Sequence, residues 1–317
     1  MAVHIVYVFD EKYAMYSSIS AISAAKFAKE KLIFHCIGHK DSSIGLDKFY
    51  DELSAHGEEV HVYPCDIAHD GFKILRGQKA NHLKFVIPQI IEEKKILYVD
   101  GDTLFQNCPS EIFNTNLADK SIAGVCDYSH LPSKREKWPT KIRFSSKEEV
   151  YVNSGMLLMN LDRIRNMNIG QKASEINETL GSKVLFADQD ILNLVFEGQK
   201  KIIGPQFNFQ IFNGNVSKDI WKKVTMSKSL KPVLVHFIGW CKPWMKSCNP
   251  MIVGHYLTYG RTLKTMRLNV EEIHNVRHQI QYAKMLDLCE RFQEASSIKQ
   301  KIINGLMRQI NENKKNS

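Results

Sequence analysis

The sequence lacks the features of several large protein classes. It contains no run of about 18 apolar residues, so no transmembrane helix is predicted. Its seven cysteines are odd in number and form no Cys-x-x-Cys pair, which argues against a disulfide framework or a zinc site and favours a reducing cytoplasm. The first ten residues have no basic segment before a long apolar core, so we expect a strand there rather than a signal peptide.

What is present is the composition of an ordinary globular protein. A hydrophobic fraction of 44% is enough for a sizeable core, and 317 residues allow one large domain or two modest ones. The formal net charge of +9 suggests an anionic partner, which could be nucleic acid, an acidic membrane surface or a phosphorylated substrate.

Apolar runs that are typical of buried strands alternate with helical stretches, which is the pattern of an α/β fold. Residues 151–160 bring a polar turn to the start of an apolar strand. The other predicted strands are residues 5–9, 32–37, 59–63, 94–99, 121–126 and 233–237, and helices are predicted at residues 17–31, 84–91 and from 187 onward.

The sequence Asp100-Gly101-Asp102 directly follows the predicted buried strand at residues 94–99. Side chains two residues apart in an extended backbone point to the same side, so the two carboxylates should emerge together where the strand meets solvent. Gly101 between them would let a ligand come close to the backbone. Two convergent carboxylates suit a divalent cation such as Mg²⁺ or Mn²⁺. The alternative is a loop that carries two solvated acids.

Polar side chains also stand at the ends of many other predicted elements, namely Asp10, Asp127, Asn153, Asp188, Gln189 and His236. Core packing does not require polar residues at so many ends, whereas ligand binding along one rim of a sheet does. Simpler roles stay open for single residues. His236 could be a packing residue, Asp127 could cap a helix, and Asp188 could place its charge at a helix start.

Five segments in this order resemble glycosyltransferase family 8, which includes bacterial lipooligosaccharide galactosyl- and glucosyltransferases and the glycogenins. They are residues 9–16, 97–102, 153–161, 187–193 and 236–244. The resemblance implies a GT-A-like nucleotide-sugar-binding domain with a mixed, mostly parallel central sheet flanked by helices. It also implies a retaining enzyme that moves glucose or galactose from a UDP-sugar to an oligosaccharide or glycolipid acceptor such as lipopolysaccharide.

A metal site made of Asp100, Asp102 and His236 is a further implication of the resemblance. A divalent cation there would act as a Lewis acid on the diphosphate of the donor. A histidine ligand beside two carboxylates favours Mn²⁺ somewhat over Mg²⁺.

The resemblance assigns donor-binding roles to the remaining residues. Lys84 and Lys242 would place positive charge on the leaving diphosphate, and Gly239 would let the backbone approach it. Lys84 agrees with glycogenin-like sequences rather than with the arginine of the bacterial ones. The other implied roles are uracil recognition by Asp10, base stacking by Tyr13, binding of sugar hydroxyls by Asp127 and Asp188, their orientation by Asn153, and contact with the anomeric carbon by Gln189.

Two other protein classes share some of these features. A nucleotidyltransferase that makes a nucleotide sugar also uses paired aspartates and a cation, but it normally opens with a Gly-rich basic loop, which the sequence Asp10-Glu11-Lys12-Tyr13 is not. A non-catalytic protein that binds nucleic acid or membranes would account for the positive charge. Nucleic-acid binding predicts basic residues interleaved with exposed aromatic ones. Here the excess charge lies along an aliphatic stripe, so we expect no nucleic-acid partner.

Residues 251–317 are predicted to form a basic amphipathic helical region that follows a catalytic domain at residues 1–250. From residue 273 apolar side chains recur at helical spacing, and lysines and arginines outnumber the nearby acids. Such a region is typical of an element that binds an anionic membrane surface. The alternative is that its apolar stripe packs on the protein. We therefore expect a cytoplasmic enzyme that is peripheral on the inner face of the cytoplasmic membrane.

Overall fold

The structure is a computed structural model that describes residues 2–66, 80–127, 142–226 and 231–315. The chain forms two compact units. Unit 1 comprises Met1–Gln210, Pro232–His236 and Lys264–Met266, and unit 2 comprises Ile211–Lys231, Phe237–Leu263 and Arg267–Ser317. The predicted division of the chain at residue 250 stays a prediction.

Ten strands are described, all of them in unit 1. They are β1 (Val3–Val8), β2 (Leu32–His39), β3 (Glu59–Cys65), β4 (Lys95–Val99), β5 (Thr103–Phe105), β6 (Ile122–Gly124), β7 (Met156–Asn160), β8 (Lys200–Ile202), β9 (Phe209–Gln210) and β10 (Leu234–His236). Seven of them form one sheet in the order β3-β2-β1-β4-β7-β6-β8. Only β7 runs antiparallel to its two neighbours in this sheet, β4 and β6. The predicted mixed, mostly parallel sheet is therefore confirmed.

Helices flank this sheet and make up most of unit 2. They are α1 (Ala14–Phe27), α2 (Ser43–Ala55), α3 (Ile87–Ile90), α4 (Ser110–Phe113), α5 (Leu161–Arg165), α6 (Ile169–Leu180), α7 (Ala187–Val195), α8 (Lys218–Met226), α9 (Pro250–Gly260), α10 (Val276–Leu288) and α11 (Phe292–Lys315). The first seven belong to unit 1 and the last four to unit 2.

The strand directions explain why polar residues from distant parts of unit 1 meet at one edge of the sheet. β1 and β4 are parallel neighbours, with Ile5 opposite Leu97, so Asp10 and Asp100 follow their carboxyl ends on the same side. β7 is antiparallel to β4, so the turn before β7 reaches this side as well. There the backbone N–H of Asp100 donates to the carbonyl of Gly155 at 2.9 Å.

A second, three-stranded sheet of unit 1 contains His236 and has the order β5-β10-β9. β10 pairs antiparallel with β5, and His236 lies opposite Thr103. Because β5 directly follows Asp102, this pairing brings a residue from late in the sequence back to the Asp-Gly-Asp turn.

Two predicted helices differ from the observed ones. The predicted helix at residues 84–91 is a 3₁₀ segment, Ala80–Phe85, followed by the single turn α3. Pro88 lacks a backbone N–H, so it is accommodated in the first turn of a new helix rather than in a helix interior. The helix predicted at residues 17–31 begins three residues earlier and ends at Phe27. The predicted strands and the helix predicted after residue 187 are present.

In unit 2 the predicted C-terminal helical region is confirmed as two helices rather than one continuous pattern. α10 and α11 pack against each other, and the helical conformation is interrupted between them, where Glu290 has a φ of 61°. Trp244 is buried against Tyr256, with 5.9 Å between the ring centroids. Among the described residues, no helix combines the length and the apolar character needed to cross a membrane.

Candidate active site

Asp100, Asp102 and His236 converge in unit 1. Each offers a ligand atom within 4.8 Å of the other two, and His236 Nε2 lies 3.2 Å from Asp102 Oδ1. Gly155 packs directly against this group, because a Cβ atom there would overlap the His236 ring and lie 2.8 Å from Asp100 Oδ2. Only glycine at this position leaves room for the side chains of His236 and Asp100.

A chain of hydrogen bonds determines which nitrogen of His236 carries a proton. The N–H of Gly155 donates to Asn153 Oδ1 at 3.1 Å, and Asn208 Nδ2 donates to the same oxygen at 2.9 Å. The amide oxygen of Asn208 therefore faces His236 Nδ1, which donates to it at 3.2 Å. In the neutral imidazole, the lone pair of His236 Nε2 then faces Asp102 Oδ1.

This arrangement fits a divalent metal ion. Without a proton or a cation, the electron pairs of His236 Nε2 and Asp102 Oδ1 would repel each other across their separation of 3.2 Å. Two carboxylates and an imidazole nitrogen whose second nitrogen is hydrogen-bonded form a common donor set for such an ion.

Asp100 is held in place by two side chains from neighbouring elements. The Tyr98 hydroxyl donates to Asp100 Oδ1, and Lys84 Nζ lies 3.3 Å from the same oxygen. Burial raises the pKa of Tyr98 well above its ordinary value, and the Asp100 carboxylate adds to this shift. Tyr98 therefore stays protonated and keeps its role as a donor.

Lys84 is a buried cation between two carboxylates. Its Nζ atom lies 2.7 Å from Asp188 Oδ2 and 3.3 Å from Asp100 Oδ1. Burial alone would lower the pKa of Lys84, but Asp100 and Asp188 raise it above its ordinary value. Ser154 Oγ also donates to Asp188 Oδ2, at 3.3 Å. The ammonium group thus joins the candidate metal ligands to a residue predicted to bind the sugar.

The side-chain amide of Gln189 makes four hydrogen bonds within unit 1. Its oxygen accepts from the Ser154 N–H at 3.0 Å and from Asn153 Nδ2 at 3.3 Å. Its nitrogen donates to Asp127 Oδ2 at 3.0 Å and to the Tyr151 hydroxyl at 3.2 Å. Because a backbone N–H only donates and a carboxylate only accepts, these partners determine the orientation of the amide. The predicted residues Asp127, Asn153 and Gln189 therefore form one network.

Asp10 and Tyr13 lie in the first loop, where the sequence predicted them. Asp10 is exposed and accepts the Tyr13 N–H at 3.3 Å, which caps a short 3₁₀ turn. Burial raises the pKa of Tyr13, and the carboxylates of Asp102 and Asp100 are near enough to add to the shift. The Tyr13 hydroxyl is therefore within electrostatic range of the carboxylates of Asp100 and Asp102.

Gly239 and Lys242, the two remaining predicted residues, belong to unit 2. Gly239 has a φ of 89°. Lys242 Nζ donates to the backbone carbonyl of Phe237 at 2.8 Å. Their part in binding a diphosphate stays a prediction.

The sequence profile of glycosyl transferase family 8 matches residues 4–248. The chain belongs to glycosyl transferase family 8. This confirms the resemblance that the five segments predicted, and the protein is a glycosyltransferase. Every predicted site residue lies inside the matched range.

Relatives and solved structures agree with the family 8 assignment. The chain is 25% identical over 254 residues to the lipopolysaccharide 1,3-galactosyltransferase of Salmonella typhimurium, with 76% of this chain and 72% of that protein covered. The galactosyltransferase LgtC, solved in complex with donor and acceptor sugar analogues, superposes with a TM-score of 0.68 at 22% identity, over 83% of this chain and 97% of LgtC. GlyE of Streptococcus pneumoniae superposes with a TM-score of 0.58 at 19% identity, over 84% of this chain and 61% of GlyE. The GT-A-like fold of this family 8 member is thus confirmed.

Several residues around the candidate site were not predicted from sequence. Tyr98 had a usable signal, since it lies two residues before Asp100 in a buried strand and shares its face. Asn208 had none, because only the tertiary structure brings it to His236. Tyr151 donates to Asp190 Oδ1 at 2.7 Å, and Asp190 also accepts two backbone N–H groups before α7. Asp190 is therefore a buried support for the helix that carries Gln189.

Proposed function

We propose that this family 8 member is a metal-dependent, retaining hexosyltransferase that moves glucose or galactose from a UDP-sugar to a saccharide acceptor of the lipopolysaccharide type. The observation that carries the proposal is the convergence of Asp100, Asp102 and His236 beside the network of Lys84 and Asp188 in one unit. The similarity to a lipopolysaccharide 1,3-galactosyltransferase supports the acceptor class and a hexose donor.

Asp100, Asp102 and His236 would hold the metal ion, with Asn208 keeping the His236 lone pair available. A bound divalent cation would act as a Lewis acid on the diphosphate of the donor. The imidazole ligand beside two carboxylates favours Mn²⁺ over Mg²⁺. Gly239 and Lys242 are proposed, on the family motif, to bind the same diphosphate, and Asp10 and Tyr13 the uracil base.

Asp127 and Asp188 are proposed to bind the hydroxyl groups of the donor sugar, Asn153 to orient them, and Lys84, next to Asp188, to place positive charge on the diphosphate. All four side chains are buried, so their interactions with the donor would form in a water-poor environment, where they are strong. The network is formed before any sugar arrives, which lowers the cost of ordering side chains on binding. The stereochemistry of one hydroxyl, which separates glucose from galactose, would be read here.

In the retaining reaction, the acceptor oxygen bonds to the anomeric carbon on the face from which the diphosphate leaves. The bond from that carbon to the diphosphate oxygen breaks, and the proton of the acceptor hydroxyl passes to the departing diphosphate. Gln189 is proposed to lie against the anomeric carbon. Its amide is already fixed by four hydrogen bonds, so it needs no reorganisation as positive charge develops there.

The C-terminal helix α11 is proposed to bind an anionic membrane surface, where a glycolipid acceptor would be located. Four apolar residues at helical spacing on α11 are 44–53% exposed: Ile303, Leu306, Met307 and Ile310. Exposed Lys301 and Arg308 lie on the same helix. An apolar stripe accompanied by basic side chains is typical of helices that lie in a membrane interface.

A donor screen tests the proposed function. Thermal unfolding of the purified protein is measured with UDP-glucose, UDP-galactose and other nucleotide sugars, with and without Mn²⁺. In a second assay, UDP release is measured with a lipooligosaccharide acceptor. A donor at 100 times its dissociation constant should raise the free energy of unfolding by about 2.7 kcal/mol. We expect this only for a UDP-hexose, and only with Mn²⁺ or Mg²⁺.

Asp102→Asn is the test variant, and Asp162→Asn on the exposed start of α5 is the matched control. Asp102→Asn should abolish transfer while the fold is retained, and the control should transfer at the wild-type rate. Full activity of Asp102→Asn in chelator-treated buffer would contradict the metal-dependent reaction. Stabilisation by no UDP-sugar at all would contradict the proposed donor.

A further inference from the structure

Thr103 is connected to all three candidate metal ligands. It follows Asp102 in the chain, its hydroxyl donates to the backbone carbonyl of Asp100 at 2.8 Å, and it lies opposite His236 in the antiparallel pair of β5 and β10. Thr103 is completely buried, with 0% of its surface exposed. Its hydroxyl proton is committed to the backbone of Asp100.

The hydroxyl of Thr103 is the last member of a buried chain of hydroxyl groups. Because a carbonyl can only accept, the proton of Thr103 goes to Asp100, and Thr103 Oγ1 must accept from Ser20 Oγ at 2.7 Å. Ser20 in turn accepts from the Tyr7 hydroxyl at 3.0 Å. All donors therefore point in one direction, from Tyr7 on β1 to the backbone of Asp100. Bonds aligned in this way strengthen one another in a low-dielectric interior.

Helix α1, which carries Ser20, packs directly against the turn formed by Asp100, Gly101 and Asp102. Ser17, one turn before Ser20, is so close to Gly101 that a Cβ atom at position 101 would overlap its hydroxyl. The close approach at Gly101 is thus made by a helix of the protein itself. At the other end of β5, Ser23 Oγ accepts the N–H of Phe105 at 2.8 Å. Helix α1 therefore contacts β5 at both ends, but only the Ser20 end reaches the candidate ligands.

We propose that Thr103 is a positioning residue for the metal-binding group, and that Ser20 and Tyr7 hold its hydroxyl in place. This inference rests on the proposed metal-dependent function. Loss of the Thr103 hydroxyl would free the Asp100 carbonyl and let the turn between Asp100 and Asp102 rotate relative to His236. The metal affinity would fall, because ligand atoms held only by their own side-chain torsions must be ordered when the ion binds.

The test is a direct titration of the purified, full-length protein with Mn²⁺, followed by the electron paramagnetic resonance signal of free Mn²⁺ in the absence of donor. Thr103→Val keeps the shape and removes the hydroxyl, and Thr103→Ser keeps the hydroxyl. Removal of a group that orients metal ligands typically lowers affinity by about 10–100-fold. We expect a loss of at least about tenfold for Thr103→Val and a change within about twofold for Thr103→Ser.

Ser23→Ala is the matched control, since it removes the hydrogen bond from Phe105 N–H and the one that Ser23 Oγ donates to the backbone carbonyl of Ser20, and neither involves the Ser20 hydroxyl or the ligands. It should lower the melting temperature and leave the Mn²⁺ affinity unchanged. Equal Mn²⁺ affinity of Thr103→Val and wild type would overturn the positioning role, as would equal losses in Thr103→Val and Ser23→Ala. If the wild-type protein bound no Mn²⁺, both this inference and the Mn²⁺-dependent form of the proposed function would fall, and the wild-type titration alone would show it.

Discussion

Asn208 Oδ1 accepts the Nδ1 proton of His236 across 3.2 Å, and this contact leaves Nε2 of His236 as the nitrogen that faces Asp102. Asn208 comes from the loop before β9 and is completely buried. Partners of this kind fix the tautomer and the ring orientation of a metal-binding histidine. Asn208 therefore orients a candidate metal ligand.

Asn208→Ala is therefore expected to lower Mn²⁺ affinity by about 10–100-fold, because His236 can then rotate and carry its proton on either nitrogen. Calorimetric titration with Mn²⁺ measures the change. Asn160→Ala, which removes only the cap of α5, is the matched control and should bind Mn²⁺ like the wild type. An unchanged affinity of Asn208→Ala would show that His236 does not depend on Asn208.

Gln189→Ala and Asp188→Ala should have different kinetic effects. An interaction that strengthens as charge develops at the anomeric carbon contributes to turnover, so Gln189→Ala should lower kcat by about 10²-fold with little change in donor affinity. Asp188→Ala should weaken donor binding as well, because it removes a hydroxyl contact and leaves Lys84 without its closest partner.

The measurement is steady-state UDP release together with donor binding by calorimetry. Gln171→Ala, on the exposed surface of α6, controls for the loss of an amide elsewhere. A raised KM with an unchanged kcat in Gln189→Ala would make Gln189 a binding residue and would contradict its proposed place at the anomeric carbon.

Stability should fall on acidification because of His35 on β2. Burial, followed by the charges of His4 and His61, lowers the pKa of His35 to about 3, against the opposing effect of Glu59. Because its folded-state pKa is depressed, His35 is protonated more readily in the unfolded chain than in the folded one. The stability that neutral His35 contributes is therefore fully present above about pH 6.5 and is lost as the pH falls toward 3. From pH 7 to pH 5 this histidine alone should cost about 2 kcal/mol.

Urea unfolding at pH 7 and pH 5 measures this effect. His35→Gln can still bond to His4 and Tyr63 but cannot titrate, so its loss of stability between the two pH values should be about 2 kcal/mol smaller than that of the wild type. His274→Gln, at an exposed position, should show the wild-type loss. The same loss in His35→Gln and wild type would assign the pH dependence to other groups.

Removal of residues 306–317 should abolish binding to anionic vesicles. A cut at this position keeps Ala295, which is buried, and the ion pair of Lys299 with Asp287 at 2.7 Å, so α10 and the first half of α11 stay packed. Each basic group near an anionic surface contributes about 1 kcal/mol, in addition to the burial of the apolar stripe. Sedimentation with phosphatidylserine-containing vesicles measures the change.

The double variant Leu306→Gln and Ile310→Gln keeps all the basic residues of α11 and separates the apolar contribution from the charge. It should bind anionic vesicles more weakly than the wild type but more strongly than the truncated protein. Unchanged sedimentation of the truncated protein would place any membrane contact elsewhere, and the exposed stripe would then need a different partner.

Most of the secondary structure of this protein could be predicted from the sequence by itself. Unbroken apolar runs such as residues 96–99 are typical of strands buried on both faces, and this was enough to predict an α/β fold and the rim on which Asp100 and Asp102 stand. The mixed, mostly parallel sheet was implied by the family resemblance. The family motifs added His236 and Gln189 from parts of the chain that have no local connection to that rim. Near Pro88 the local pattern misled, because a helical spacing of apolar residues outweighed the missing N–H.

Only the tertiary structure determined which polar groups are partners. The direction of β7 brings Asn153 to Gln189, and the pairing of β10 with β5 places His236 opposite Thr103. Asn208 has no sequence pattern that distinguishes it from a loop asparagine, and it acquires its role from contacts with His236 and Asn153. The physical reason is that hydrogen bonds are short and directional, so their partners depend on the final packing of distant strands. Strand formation and burial, in contrast, depend mainly on runs of apolar residues that are adjacent in the sequence.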